Sequence, residues 1–184
     1  MLSMSSSSSR NCCAQVFLQQ NPVISNSLIA DCDHDFEKVT AIIEPVLNAP
    51  ERCQITPFYI QAVTTGRTTF LTTNLSTDGC EAQVIQPAAN YLIGRSLNCA
   101  ITIRERSVSR QHAVIGYVHD QGFFLTDVGS RNGTKLNKHR LPAQDRRLLA
   151  DGDLIQLCSL KVEFFISDLG GDATMRDLGD TSHL

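Results

Sequence analysis

The sequence contains no tryptophan, only three methionines and no long apolar run among its 184 residues. Runs such as Phe164-Phe165-Ile166 fall far short of the roughly 20 apolar residues that span a bilayer, so membrane insertion is not expected. The start, Met1-Leu2-Ser3-Met4 followed by Ser5 to Ser9 and Arg10, holds no apolar stretch of the kind that drives export. Its serine-rich, acid-poor character fits an organelle transit peptide only weakly, because Arg10 and Lys38 are the only basic residues before residue 40. The expectation is a disordered start in a cytoplasmic protein.

No C-x-x-C pair occurs among Cys12, Cys13, Cys32, Cys53, Cys80, Cys99 and Cys158. Metal-binding cysteines come at short fixed spacings, so a zinc site is not expected. No cofactor is expected. An odd count without export signal or regular spacing also speaks against a disulfide framework. Reduced, semi-buried thiols are the expectation. Asp31, Asp33 and Asp35 imitate the start of a calcium loop, but Phe36 and Ile42 stand where that loop needs glycine and glutamate. A helix-capping cluster accounts for them. No G-x-S-x-G elbow accompanies Ser109, His112 and Asp127, so a catalytic triad is rejected and no enzyme is expected. Two glycosylation sequons, at Asn74 and Asn132, mean little without export.

An excess of one charge is also lacking. Sixteen basic and nineteen acidic residues leave a net charge of −3, which argues against a coat on nucleic acid or an anionic membrane. The balance is uneven along the chain. Residues 1–66 carry three basic and six acidic residues, residues 67–167 twelve and nine, and residues 168–184 one and four. The segment charges are therefore −3, +3 and −3. A basic middle is flanked by acidic ends.

The same three parts differ in texture. In the first, Asp33 or Asp35 can cap a helix in which Phe36, Val39, Ile43, Val46 and Leu47 recur at spacings of three and four. One helix near residues 34–49 is expected, kinked or ended at Pro45. From about residue 67 to 167, short β-type segments alternate with turns. The segments are 68–73, 82–86, 91–94, 100–103, 113–118, 123–127, 134–136, 154–157 and 162–166; Asn132-Gly133 and Asp151-Gly152 are among the turns. That spacing reads as an all-β antiparallel sandwich or barrel. The last part, residues 168–184, is polar and glycine-rich and reads as a flexible tail.

Within the β-rich part, three polar segments stand at strand ends: Gly94-Arg95, Ser107 to His112, and Asp127 to Thr134. They gather Arg95, Arg110, Arg131, Ser109 and Asn132 in loops. Arginine forks and hydroxyls match the oxygens of a phosphate dianion. In this order, with Ser109-x-x-His112, Gly129-Ser130-x-Asn132-Gly133-Thr134, Asn137 and Asp151-Gly152-Asp153, they resemble the forkhead-associated (FHA) domain family over about residues 67–167.

The resemblance implies a β-sandwich of about eleven strands that reads phosphothreonine peptides and catalyses nothing. By resemblance, Arg95 and the Ser109 hydroxyl bind the phosphate, and Asn132 bonds the ligand backbone. Arg110 and Arg131 stand at positions of frequent phosphate or peptide contact, with a solvated loop charge as the alternative for each. His112 is expected to brace the loop. The implied partner is a phosphothreonine-containing protein in kinase signalling, with no nucleic acid and no membrane insertion. Arg104 and Arg106 could favour an acidic residue downstream of the phosphothreonine. Thr174, followed by Asp177, offers a phosphorylatable segment for self-recognition. The alternative is a structural subunit that keeps the fold, uses another surface and anchors through its N-terminal helix.

Overall fold

A computed structural model describes residues 5–65, 67–77 and 82–168, with side chains from residue 13 onward except that of Thr77. The segment from residue 169, with Thr174, lies outside the described residues.

Among the described residues, four helices come first: α1 (Ser5–Gln20), α2 (Pro22–Asp31), α3 (Phe36–Leu47) and α4 (Ala49–Arg52). Asp35 caps α3 by accepting from the backbone N–H groups of Glu37 and Lys38. The expected apolar face of α3 exists, with Val39, Ile42, Ile43 and Val46 buried. The helix runs through Pro45 to Leu47, because a proline this close to the C-terminal end breaks only one bond of the last turns.

The helices α1 and α2 correct the expectation of a disordered start and a single helix. Neither has a strong apolar stripe of its own. Each is held by packing: Ala14 and Phe17 of α1 and Ile24 and Leu28 of α2 share a core with α3 and with Val63 and Phe70. Ser25 adds a tie by donating from its hydroxyl to the Leu18 carbonyl. Tertiary burial thus supplies what local periodicity lacks.

Among the described residues, twelve strands follow. They are β1 (Tyr59–Thr64), β2 (Thr69–Thr73), β3 (Gln83–Ile85), β4 (Asn90–Gly94), β5 (Ile101–Thr102), β6 (Ala113–Val118), β7 (Gly122–Asp127), β8 (Thr134–Leu136), β9 (His139–Arg140), β10 (Arg146–Leu148), β11 (Asp153–Leu157) and β12 (Leu160–Asp168). One sheet has the order β3-β2-β1-β12-β11-β8-β9 and the other β10-β7-β6-β4-β5. Their inner faces share one core, in which Ile60, Leu71, Tyr91, Ile93, Ile115, Leu125, Ile155 and Phe164 are fully buried. The expected β-sandwich is present, but its sheets are mixed. β1 runs parallel to β12, and β4 parallel to β5.

β1 is the element that joins the two halves of the chain. All six of its residues are buried. Ile60 and Ala62 point into the sandwich core, whereas Val63 meets the helices on the other face. A strand covered on both faces loses the alternation that marks a half-exposed one. The boundary expected at residue 67 therefore falls between β1 and β2, two paired strands. Just before β1, Glu163 of β12 accepts from the backbone N–H groups of Gln54, Ile55 and Thr56 at 2.8, 2.7 and 3.1 Å. One carboxylate oxygen thereby fastens the link between helices and sheet. No helix among the described residues is long and apolar enough to cross a membrane.

Candidate functional site

β4 and β6 are antiparallel, as are β6 and β7. The end of β4, the start of β6 and the end of β7 consequently lie at one end of the second sheet. The loops that leave these ends carry every polar segment singled out in the sequence.

Gly94 closes β4 against the 103–112 loop. A Cβ at this position would stand 2.3 Å from the Arg110 carbonyl oxygen, so any side chain would force the backbones apart. This close approach lets Arg95 N–H donate to the Ser109 carbonyl at 2.9 Å and Ser96 N–H to the Arg110 carbonyl at 3.1 Å. The Arg95 side chain is also anchored, with Nε donating to the Val108 carbonyl at 3.3 Å. Its terminal nitrogens find no acceptor among the described residues.

His112, fully buried, braces the loop from below. Its Nδ1 accepts from Ser109 N–H at 3.1 Å, and its Nε2 lies 3.2 Å from the Gly133 carbonyl. A nitrogen that accepts carries no proton, so the neutral tautomer with Nε2–H donating to Gly133 satisfies both contacts. Burial pushes the imidazole pKa down, against an opposing hydrogen bond to Gly133 and the charge of Asp127. The histidine bridges two loops that are 21 residues apart. It faces the amide of Ser109, not the hydroxyl, which removes the basis of a triad.

The 128–133 turn is organised by Asp127. One carboxylate oxygen accepts from the Gly129 and Ser130 amides, the other from the Ser130 and Thr134 hydroxyls at 2.6 and 2.7 Å. Burial by itself raises this carboxyl pKa, but the hydrogen bonds outweigh it and hold it below the ordinary carboxylate value. Gly129 and Gly133 adopt φ of +92° and +82°, the left-handed conformation open to glycine at little cost. The turn then presents Arg131 and Asn132. Arg131 N–H donates to Ser109 Oγ at 2.9 Å, and Asn132 Nδ2 to the Ser107 carbonyl at 2.8 Å.

The 103–112 loop is also held from the β11–β12 turn. Cys158 Sγ donates to the same Ser107 carbonyl at 3.0 Å. Glu105 accepts from the hydroxyls of Ser107 and Ser159 at 2.6 and 2.7 Å, and these bonds hold its carboxyl pKa down against partial burial.

All five residues singled out by sequence thus meet in one loop cluster. Arg95, Arg110, Arg131 and Asn132 are exposed and Ser109 half-buried. Among the described residues none of the three arginines joins an ion pair. Arg104 and Arg106 are exposed on the same loop. The sequence reading missed the supports: Asp127 as turn organiser, and Glu105 and Cys158 as loop clamps. The spacing of Asp127 to Gly129 and Ser130 is an Asx-turn signal that could have found the first. Cys158 acts across 51 residues, and nothing local announces it.

The family model of the FHA domain matches residues 91–158. The chain carries an FHA domain. The matched stretch opens with Tyr91 of β4 and closes at Cys158, so it contains the whole loop cluster. Human Kanadaptin is 39% identical over 61 residues, which cover 28% of this chain and 8% of that protein. The chain therefore spans a small part of this relative. Among solved structures, the N-terminal FHA domain of S. cerevisiae Rad53p in complex with a phosphothreonine peptide is 27% identical, covering 38% of this chain and 56% of that one, with a TM-score of 0.36. An FHA domain of a Mycobacterium tuberculosis ABC transporter is 33% identical over 42% of this chain and 68% of that one, with a TM-score of 0.38.

Proposed function

We propose that the FHA domain binds a phosphothreonine-containing segment of a partner protein and acts as a cytoplasmic, kinase-linked adaptor without a catalytic step. The observation that carries this reading is the state of Ser109 and its neighbours. The Ser109 hydroxyl oxygen is occupied by Arg131 N–H, so its own O–H remains available as a donor. Beside it, Arg95 and Arg110 offer guanidinium groups that no carboxylate neutralises among the described residues. A free hydroxyl donor and exposed cations without counter-ions suit a dianion such as phosphate.

In this reading Arg95 and Ser109 hold the phosphate, and Arg110 and Arg131 add charge beside it. Asn132 spends its Nδ2 on Ser107, which leaves Oδ1 as an acceptor for a ligand backbone N–H. Each charge-assisted bond contributes roughly 1.5–3 kcal/mol net, and a micromolar complex amounts to about −8 kcal/mol. Two or three such bonds can supply much of the affinity.

Self-recognition through phosphorylated Thr174 is a finer form of the same proposal. Phosphorylating Thr174 in vitro should weaken capture of an external phosphopeptide or produce a dimer. The adaptor reading itself is tested by an array of phosphothreonine peptides and their unphosphorylated counterparts probed with the full chain. Binding confined to phosphorylated members supports it. Indifference to the phosphate would favour a structural subunit that uses another surface.

A further inference from the structure

The β8–β9 hairpin follows directly from the phosphate-site turn and is strongly basic. From Val128 to Gln144 the chain carries Arg131, Lys135, Lys138 and Arg140 and no acidic residue. All four are exposed. Lys135 and Arg140 stand directly opposite each other in the β8–β9 ladder, a like-charge pairing that opposes folding unless an anion lies nearby.

The neighbouring carboxylates do not provide that anion. Asp127 is buried and bound by the 128–134 turn. Asp153 accepts from Asn137 and from the Ala150 amide. Asp145 pairs with Arg147. None of the four hairpin cations joins an ion pair among the described residues.

Beyond Arg131, which belongs to the site itself, Arg140 is the cation that lies against the site's turn. A Cβ on Gly133 would lie 2.6 Å from both Cζ and one terminal nitrogen of Arg140. The guanidinium therefore rests in the space that the glycine leaves open, one residue from Asn132. Packing against the backbone restricts this long side chain before any ligand arrives, which reduces the ordering cost of binding.

We infer that Arg140, supported by Lys135, forms a second anion subsite beside the proposed phosphothreonine site and selects ligands that carry a further acidic side chain. The inference rests on the phosphothreonine reading and adds the class of ligand to it. The shared chemistry is an anionic group on the same peptide, either a carboxylate or a second phosphate. A peptide is favoured over a polynucleotide because the cations are few and continue from the turn that presents Asn132.

The test titrates the full chain with three short phosphothreonine peptides, flanked on both sides by alanines, by aspartates or by phosphoserines. The acidic peptides should bind at least about tenfold tighter than the alanine peptide, the effect of one added charge-assisted contact. The tighter of the two acidic peptides identifies the anion. Arg140→Gln should erase most of the preference and leave the affinity for the alanine peptide unchanged without lowering the melting temperature, because it also relieves the like-charge pairing with Lys135; Arg140→Lys should partly restore the preference. Arg67→Gln, beyond the β1 end of the first sheet, should preserve the preference. Equal binding of all three peptides, or a preference that survives Arg140→Gln, overturns the inference alone. If no peptide binds the wild-type chain, the phosphothreonine reading falls and the inference with it. Loss in Arg140→Gln of affinity for a single-stranded oligonucleotide, with peptide binding unaffected, would also overturn it.

Discussion

The backbone N–H of Arg131 donates to the hydroxyl oxygen of Ser109 at 2.9 Å, across 22 residues of sequence. This contact joins the two loops that carry the proposed phosphate donors, and it sets the direction in which Ser109 can donate. Ser109→Ala removes both roles. The Arg131 amide lies at an exposed turn where water can replace the lost acceptor, so stability should fall by no more than about 1 kcal/mol. Phosphopeptide affinity should fall about tenfold or more. Chemical denaturation and calorimetry on the same variant separate the two effects.

Gly94 is expected to tolerate no side chain. In Gly94→Ala, the new carbon would meet the Arg110 carbonyl at 2.3 Å. That atom is backbone, so relief requires the loop to move away from β4. Destabilisation of roughly 1–3 kcal/mol follows from such overpacking, measured by urea unfolding. Because Ser109 and Arg110 ride on the displaced loop, phosphopeptide affinity should fall as well.

The three amides gathered by Glu163 predict a different kind of loss. Glu163→Ala would leave the N–H groups of Gln54, Ile55 and Thr56 without their acceptor. A hydrogen bond to a charged group contributes roughly 1.5–3 kcal/mol, and the three share one oxygen, so a loss of about 3 kcal/mol is expected. Hydrogen exchange should quicken at these amides first. Phosphopeptide affinity at temperatures where the fold persists should be unchanged.

The buried His112 makes stability depend on pH. Burial holds its pKa below the ordinary 6.5, so the unfolded chain takes up a proton before the folded domain does. The stability contributed by neutral His112 is fully present above the unfolded value. It is lost progressively as pH falls through about 6.5 towards the folded pKa. Urea midpoints of the free protein should decline between pH 7.5 and 5.5. His112→Gln should be less stable at pH 7.5 but show a smaller decline. Peptide binding is a poorer readout here, because a phosphothreonine itself titrates with a pKa near 6.

Much of the β-domain is legible in the sequence because its strands are short, apolar and punctuated by turns. The segments 113–118, 123–127 and 134–136 match β6, β7 and β8 almost residue for residue. Gly94-Arg95, Ser109-x-x-His112 and Asn132-Gly133-Thr134 are each ordinary turn chemistry alone, and become legible as a site only through their combination and order. What escaped is what depends on distant partners. β1 shows no alternation because helices cover its outer face, and its parallel pairing with β12 spans about a hundred residues. β9 and β10 are two and three residues long and exposed, too short to carry a pattern. The helices α1 and α2 lack a stripe and are fixed by the surface they pack on. The clamp formed by Cys158 on Ser107, and the placement of Arg140 against Gly133, follow only from sheet register.

The most direct test of the central claim is a calorimetric titration of the full chain with the tightest phosphothreonine peptide from the array. It would be repeated with the unphosphorylated peptide and with Arg95→Ala. The account predicts micromolar-range binding of the phosphorylated peptide, no measurable binding of its counterpart, and loss of binding in Arg95→Ala with an unchanged melting curve. Equal binding of both peptides, or full affinity in Arg95→Ala, would contradict it.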